Sequence, residues 1–97
     1  MIWYLYVIRT VDNCLYTGIA TDVQRRFREH TAGGAAAAKY FCAHTPHSLA
    51  FSRKIGSRSQ ALKVEYRFKR LTKKAKETII KRDTLLFDRK TGKISIV

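Results

Sequence analysis

Glu65 is the only acidic side chain in a helix-forming run from Ser59 to Leu71, and its place in that run is unusual. Laid out at the helical period, Ala61, Val64, Phe68 and Leu71 share one face, and Leu62 and Tyr66 form a second apolar group. Lys63, Arg67 and Arg70 take the solvent side, and Glu65 falls between the two apolar groups. A carboxylate turned toward the core is costly unless a cation, a metal ion or several donors meet it. Glu65 is therefore either half of a structural ion pair with an arginine, or a metal ligand or general acid/base.

A second helix-forming run shows a similar convergence. Val23, Phe27 and His30 lie on one face with Arg26 beside them, and the i, i+4 spacing of Arg26 and His30 lets both side chains reach one spot. A histidine bordering an apolar face is either a satisfied core residue or part of a site. Two tyrosines in strand-forming segments complete the set. Tyr6 and Tyr16 share a sheet face if Thr10 pairs with Cys14 around Val11-Asp12-Asn13. That register sets Tyr6 opposite Gly18 and Ile8 opposite Tyr16, and Gly18 leaves room above the sheet. With a two-residue turn at Asp12-Asn13 the two tyrosines face opposite sides.

The elements needed to hold these groups are legible in outline. Ile2–Ile8 is aromatic and β-branched at both parities, as in a central strand, and Cys14–Ala20 is its return partner. Thr21 with Gln24 reads as a capping box opening a helix to about His30. Residues 32–47 read as irregular, and Ser48–Lys54 as a third strand ended by Gly56. Ser57 or Ser59 caps a helix reaching Leu71, and Thr72 caps another to about Arg82. The tail pairs Leu85-Leu86-Phe87 with Ile94–Val97 around Thr91-Gly92. The expectation is an α+β fold in ββαβαα order, a small three-stranded antiparallel sheet flanked by helices. Residues 1–83 form the domain, and 84–97 a C-terminal extension.

Composition narrows the partners. Ninety-seven residues suffice for one domain with a modest core, and 45% apolar content is too rich for a disordered tail. The net charge is +13, with five basic and three acidic residues in 1–50 against fifteen and four in 51–97. So uneven an excess calls for a polyanion facing the second half. Ile2–Ile8 is too short to span a bilayer and lacks the flanks of a secretory signal, so no membrane partner is expected. Two cysteines, Cys14 and Cys42, make no disulfide framework, which suggests a reducing, cytoplasmic setting.

Tyr4-Leu5-Tyr6, Tyr16-Thr17-Gly18, Arg26 with His30, and Glu65, in this order and on these elements, resemble the GIY-YIG endonuclease superfamily. The likeness is greatest to its small stand-alone members and covers roughly residues 2–82. Leu15–His30 and Ala61–Lys76 carry most of it. The triplets are degenerate versions of Gly-Ile-Tyr and Tyr-Ile-Gly. The late asparagine of many members has no counterpart, since the only asparagine here is Asn13 in the turn.

The resemblance implies a one-metal phosphodiesterase. Tyr6 would orient or deprotonate the attacking water, Tyr16 would contact the scissile phosphate, and Arg26 would neutralise its charge. His30 would assist proton transfer or orient a tyrosine, and Glu65 would bind Mg²⁺ or Mn²⁺. Gly18, Arg25, Lys39, Tyr40, Lys63, Arg67, Lys73 and Lys74 are the expected substrate contacts. The substrate would be DNA, with RNA an open alternative, cut in a structure-dependent way in repair, recombination or processing, with a protein partner available for targeting. Two rivals stand beside this reading. One is a non-catalytic basic module, since residues 58–83 hold ten basic and three acidic side chains, enough for several phosphate contacts either way. The other is a zinc site from Cys42, His44 and His47, which lacks a fourth ligand and fits no common spacing.

Overall fold

The computed structural model describes residues 1–95. Strand β1 (Trp3–Thr10) turns through Val11-Asp12-Asn13 into β2 (Leu15–Ala20), and helix α1 (Val23–Ala32) follows. Two short 3₁₀ turns, Gly34–Ala36 and Lys39–Cys42, lead into β3 (Pro46–Gly56). Helices α2 (Arg58–Lys69) and α3 (Lys73–Arg82) and a small hairpin of β4 (Leu86–Phe87) and β5 (Ile94–Ser95) complete the chain. The antiparallel sheet has the order β2-β1-β3, so the most apolar strand is the central one. This is the expected α+β architecture.

Alternation along β1 builds two cores. Leu5 and Val7 pack with Phe51, Ile55, Ala61, Val64, Phe68, Ile79 and Leu85 under α2 and α3. Tyr6 and Ile8 point to the other face, where Ala20, Val23, Phe27, Phe41 and Leu49 meet them beneath α1. The hairpin register is the three-residue-turn alternative, with Tyr6 opposite Gly18 and Ile8 opposite Tyr16. Asn13, at φ 64°, supplies the left-handed residue the turn needs, and the Thr10 N–H donates to the Cys14 carbonyl at 2.9 Å.

Local capping differs from the sequence reading at one helix and matches it at two. At α1 the cap is Asp22, whose side chain accepts from the Arg25 N–H, in place of Thr21. Both residue types cap well; Asp22 stands three residues before a free backbone donor. Ser57, not Ser59, caps α2 in a full capping box with Gln60, and Thr72 caps α3. Strand β3 begins at Pro46, two residues before the expected start. Leu85, Phe87 and Ile94 pack against the main core, and Gly92 lies so close to α2 that a Cβ there would sit 2.6 Å from the Lys63 carbonyl carbon. The expected second strand of the tail runs on to Val97, and residues 96 and 97 lie outside the described ones.

Candidate active site

Because Gly18 carries no side chain, the Tyr6 ring lies directly over β2, where a Cβ would come within 2.5 Å of the hydroxyl. Tyr6 is 1% exposed, and its hydroxyl is 2.9 Å from His30 Nε2, delivered by α1 and equally buried. The Ala38 backbone N–H donates to the other ring nitrogen, Nδ1, at 3.2 Å. A neutral imidazole accepting at Nδ1 must carry its proton on Nε2, so His30 donates to the Tyr6 oxygen. The phenolic proton of Tyr6 is then free to point elsewhere. Burial first, with the nearby Arg26 charge second, lowers the His30 pKa to about 4, so the ring is neutral at pH 7.

Tyr6 is itself pushed well above the ordinary phenol range. Burial is the main cause, the Tyr16 and Glu65 charges add to it, and Arg26 opposes it. Tyr16 sits 6.3 Å from the Tyr6 ring and 5.4 Å from His30, centroid to centroid. Phe41 closes the aromatic wall at 4.6 Å from His30 and 4.8 Å from Tyr16, and Tyr40 lies 5.4 Å from Tyr16.

Arg26 donates to Glu29 Oε1 at 3.1 Å and to the Ala36 carbonyl at 2.6 Å, and its guanidinium also reaches the Tyr6 hydroxyl. With Arg25, Glu29, Trp3 and residues 19–22 it lines an open cleft of about 300 Å³. Glu65 projects from α2, across the sheet from α1, yet its charge is felt at Tyr6. Its side chain is 18% exposed, and Lys69 Nζ stands 3.3 Å from Oε2. The carboxylate is therefore sheltered, and its ion-pair partner is a lysine one turn on, not an arginine. A lone carboxylate is a hard oxygen donor, of the kind that takes a cation such as Mg²⁺ or Mn²⁺.

Two tyrosines, an imidazole and a guanidinium thus assemble around α1 and β2, with Glu65 within electrostatic reach. The expected outer contacts divide. Gly18, Arg25 and Tyr40 border this assembly, and Lys39 is an exposed neighbour of Tyr40. Lys63 and Arg67 instead line a separate groove with Leu62, Tyr66, Lys90 and Thr91, about 510 Å³ in volume. Lys73 Nζ donates to the Asn13 carbonyl at 2.7 Å, tying α3 to the hairpin turn, and Lys74 is exposed beside it.

Cys42, His44 and His47 do not gather: His47 Nδ1 contacts Ser48 at 3.2 Å, and Cys42 is exposed. His44 turns to Asp12 Oδ2 at 2.8 Å, close to Cys14. Sequence reasoning missed that grouping, along with Glu29 and Phe41 as supports of the site. The i, i+3 spacing of Arg26 and Glu29 was the available signal for Glu29.

Comparison with known proteins bears on the family and the fold. The family model described as the GIY-YIG catalytic domain matches residues 2–78. A UPF0213 protein of Citrobacter koseri is 54% identical over 78 residues, covering 80% of this chain and 76% of its own. The UPF0213 protein YhbQ of Salmonella typhimurium is 53% identical over the same length and shares. The solution structure of the UPF0213 protein BH0048 from Bacillus halodurans superposes with a TM-score of 0.53 at 33% identity, covering 84% of this chain and 85% of that one.

Proposed function

Since the chain belongs to the GIY-YIG family, an endonuclease superfamily whose members generally use divalent metals, we propose that it hydrolyses DNA phosphodiester bonds with the help of Mg²⁺ or Mn²⁺. The observation carrying this reading is the buried Tyr6–His30 hydrogen bond beside Tyr16 and Arg26, with a sheltered carboxylate, Glu65, on the neighbouring helix α2.

The hydrogen-bond directions support the roles of His30 and Tyr6. His30 donates to the Tyr6 oxygen, so it orients the phenol and supports any phenolate formed there. Tyr6 keeps its own proton in the resting protein, because burial disfavours the charged form, and presents it toward the reacting oxygens. Tyr16 reaches a phosphate oxygen with its hydroxyl. Arg26 pairs with the phosphate once it lets go of the Ala36 carbonyl, a neutralisation that phosphoryl transfer depends on. Glu65 would hold the cation, which supplies Lewis-acid charge stabilisation and a more acidic water. Basic residues on α2 and α3 contact phosphates, which fixes position and not sequence, so recognition is of DNA shape.

The test is cleavage of nicked, flapped, branched and linear DNA with Mg²⁺, with EDTA, and by Glu65→Gln. Metal-dependent cutting by the wild type, lost in Glu65→Gln while DNA binding persists, supports the proposal. Equal, negligible cutting by both proteins with binding intact overturns it in favour of a binding module.

A further inference from the structure

Asp12, Cys14 and His44 bring three different donor types to one place, on the side of the hairpin turn. Among the described residues their ligating atoms all lie within 4.8 Å of one another, and no other such trio of His, Cys, Asp or Glu occurs. His44 Nδ1 is 2.8 Å from Asp12 Oδ2, and Cys14 Sγ is 3.7 Å from the same oxygen. A tetrahedral ion bound at zinc distances needs its donors about 3.4–3.8 Å apart. Of these spacings 2.8 Å falls short of that range and 3.7 Å lies within it, so shifts of about 1 Å would seat one.

The backbone holds the donors in place. Asp12 and Cys14 flank Asn13 in the tight turn, and the Val11 N–H donates to the Thr45 carbonyl at 2.9 Å, which binds the turn to the segment carrying His44. The His44 ring is stacked on Tyr40 at 4.4 Å and 19°, which fixes its orientation. Hydrogen bonds to Asp12 Oδ2 hold both the His44 ring and the Cys14 thiol without a metal, so it is the convergence of three donor types on one oxygen, and not an unpaired group, that points to an ion. Sulfur, imidazole and carboxylate together are a poor set for Mg²⁺ and a good one for zinc or another late first-row cation.

We propose that Asp12 Oδ2, Cys14 Sγ and His44 Nδ1 form a Zn²⁺ site separate from Glu65, with water in the fourth position. Loading it releases the Cys14 thiol proton to solvent and moves the His44 proton to Nε2, so no redox step is involved. The bound ion cross-links the β1–β2 turn to the segment after the second 3₁₀ turn. The preceding 3₁₀ turn carries Tyr40 and Phe41, which pack on Tyr16, and the His44 ring stacks on Tyr40, so the site stiffens one wall of the aromatic cluster.

The experiment uses the full chain, reduced and stripped of metal. Co²⁺ is added as a spectroscopic probe and Zn²⁺ by titration against a chromophoric chelator. The expected result is one equivalent of Co²⁺ with a thiolate charge-transfer band, displaced by Zn²⁺ and unaffected by Mg²⁺. Cys14→Ser removes the band, and Cys14→Ser and His44→Gln each weaken Zn²⁺ by roughly 100-fold or more, since even outer-sphere partners are worth 10–100-fold. Cys42→Ser and His47→Gln leave both unchanged. Should Cys14→Ser fail to fold, His44→Gln and Asp12→Asn carry the same test. No band in the wild type, or a band lost with Cys42 and retained without Cys14, overturns the proposal. Nuclease activity does not enter the readout, so this outcome is independent of the function proposed above.

Discussion

Replacing Gly18 with alanine isolates the fit between the two strands and the phenol. Gly18 has no left-handed backbone angle, so alanine is unstrained in itself and its cost is contact alone. The new Cβ would lie 2.5 Å from the Tyr6 hydroxyl oxygen, 2.6 Å from Cζ and 3.0 Å from Cε2. Tyr6 is 1% exposed and tied to His30 at 2.9 Å, so its ring cannot yield without giving up that bond. Overpacking of this size costs about 1–3 kcal/mol, and losing the net worth of a buried hydrogen bond about 1 kcal/mol more. Together that is about 3 kcal/mol, or a fall in Tm of roughly 10–20 °C for a domain of this size. Thermal and urea unfolding measure it. A double-mutant cycle with Tyr6→Ala checks the cause: once the ring is gone the alanine at 18 costs little, so the two penalties fall short of additive. A Tm unchanged by Gly18→Ala, or additive penalties in the cycle, would refute the close approach of Tyr6 to β2.

Other perturbations read other parts of the site. His30 has a folded pKa of about 4 against about 6.5 unfolded, so below pH 6.5 the unfolded chain binds the extra proton and stability falls. By pH 4 this one group removes about 3 kcal/mol relative to pH 7, and His30→Gln flattens that part of the acid-unfolding curve. A curve of undiminished slope in His30→Gln contradicts a buried neutral imidazole. Arg26→Ala lowers cleavage by about 10³-fold, in line with arginines that neutralise a transferring phosphoryl group, while binding changes far less; a parallel loss of both assigns Arg26 to binding alone. Glu77→Gln breaks the two-pronged pair with Arg9, at 2.6 and 2.8 Å, that fastens α3 to β1. Being a third exposed, that pair contributes about 1 kcal/mol, and molar salt shrinks the difference between the two proteins.

The sheet register was legible only as a choice of two, since turn chemistry at 11–13 allows a three- or a two-residue turn; the structure takes the three-residue one, which sets Tyr6 above Gly18. The shelter of Glu65 was legible, since helical periodicity alone separates it from Lys63 and Arg67. Its lysine partner was not, because an i, i+4 contact is one of several rotamers open to an exposed side chain. The cap at Asp22 was hidden by two adjacent residues of equal capping power, a choice decided by the entry of the chain from β2. The Asp12, Cys14 and His44 trio depends on a loop closing back over the turn 30 residues earlier. Nearness in sequence had grouped His44 with Cys42 and His47, but within a 3₁₀ turn and a strand those side chains diverge.

The 2.6 Å bond from Arg26 to the Ala36 carbonyl couples chemistry to a stretch of small, exposed residues. The same stretch supplies the Ala38 amide that sets the His30 tautomer. A guanidinium moored in this way becomes available to an incoming anion when its mooring slips, and the imidazole loses its fixed tautomer in the same movement. Glycines at positive φ, Gly33 and Gly34, lie where the stretch leaves α1 and give it the freedom to shift. Under the mechanism proposed above, turnover would be geared to a loop that itself bears no catalytic side chain, and stiffening Gly33 or Gly34 would slow cleavage without altering a single group that meets the phosphate.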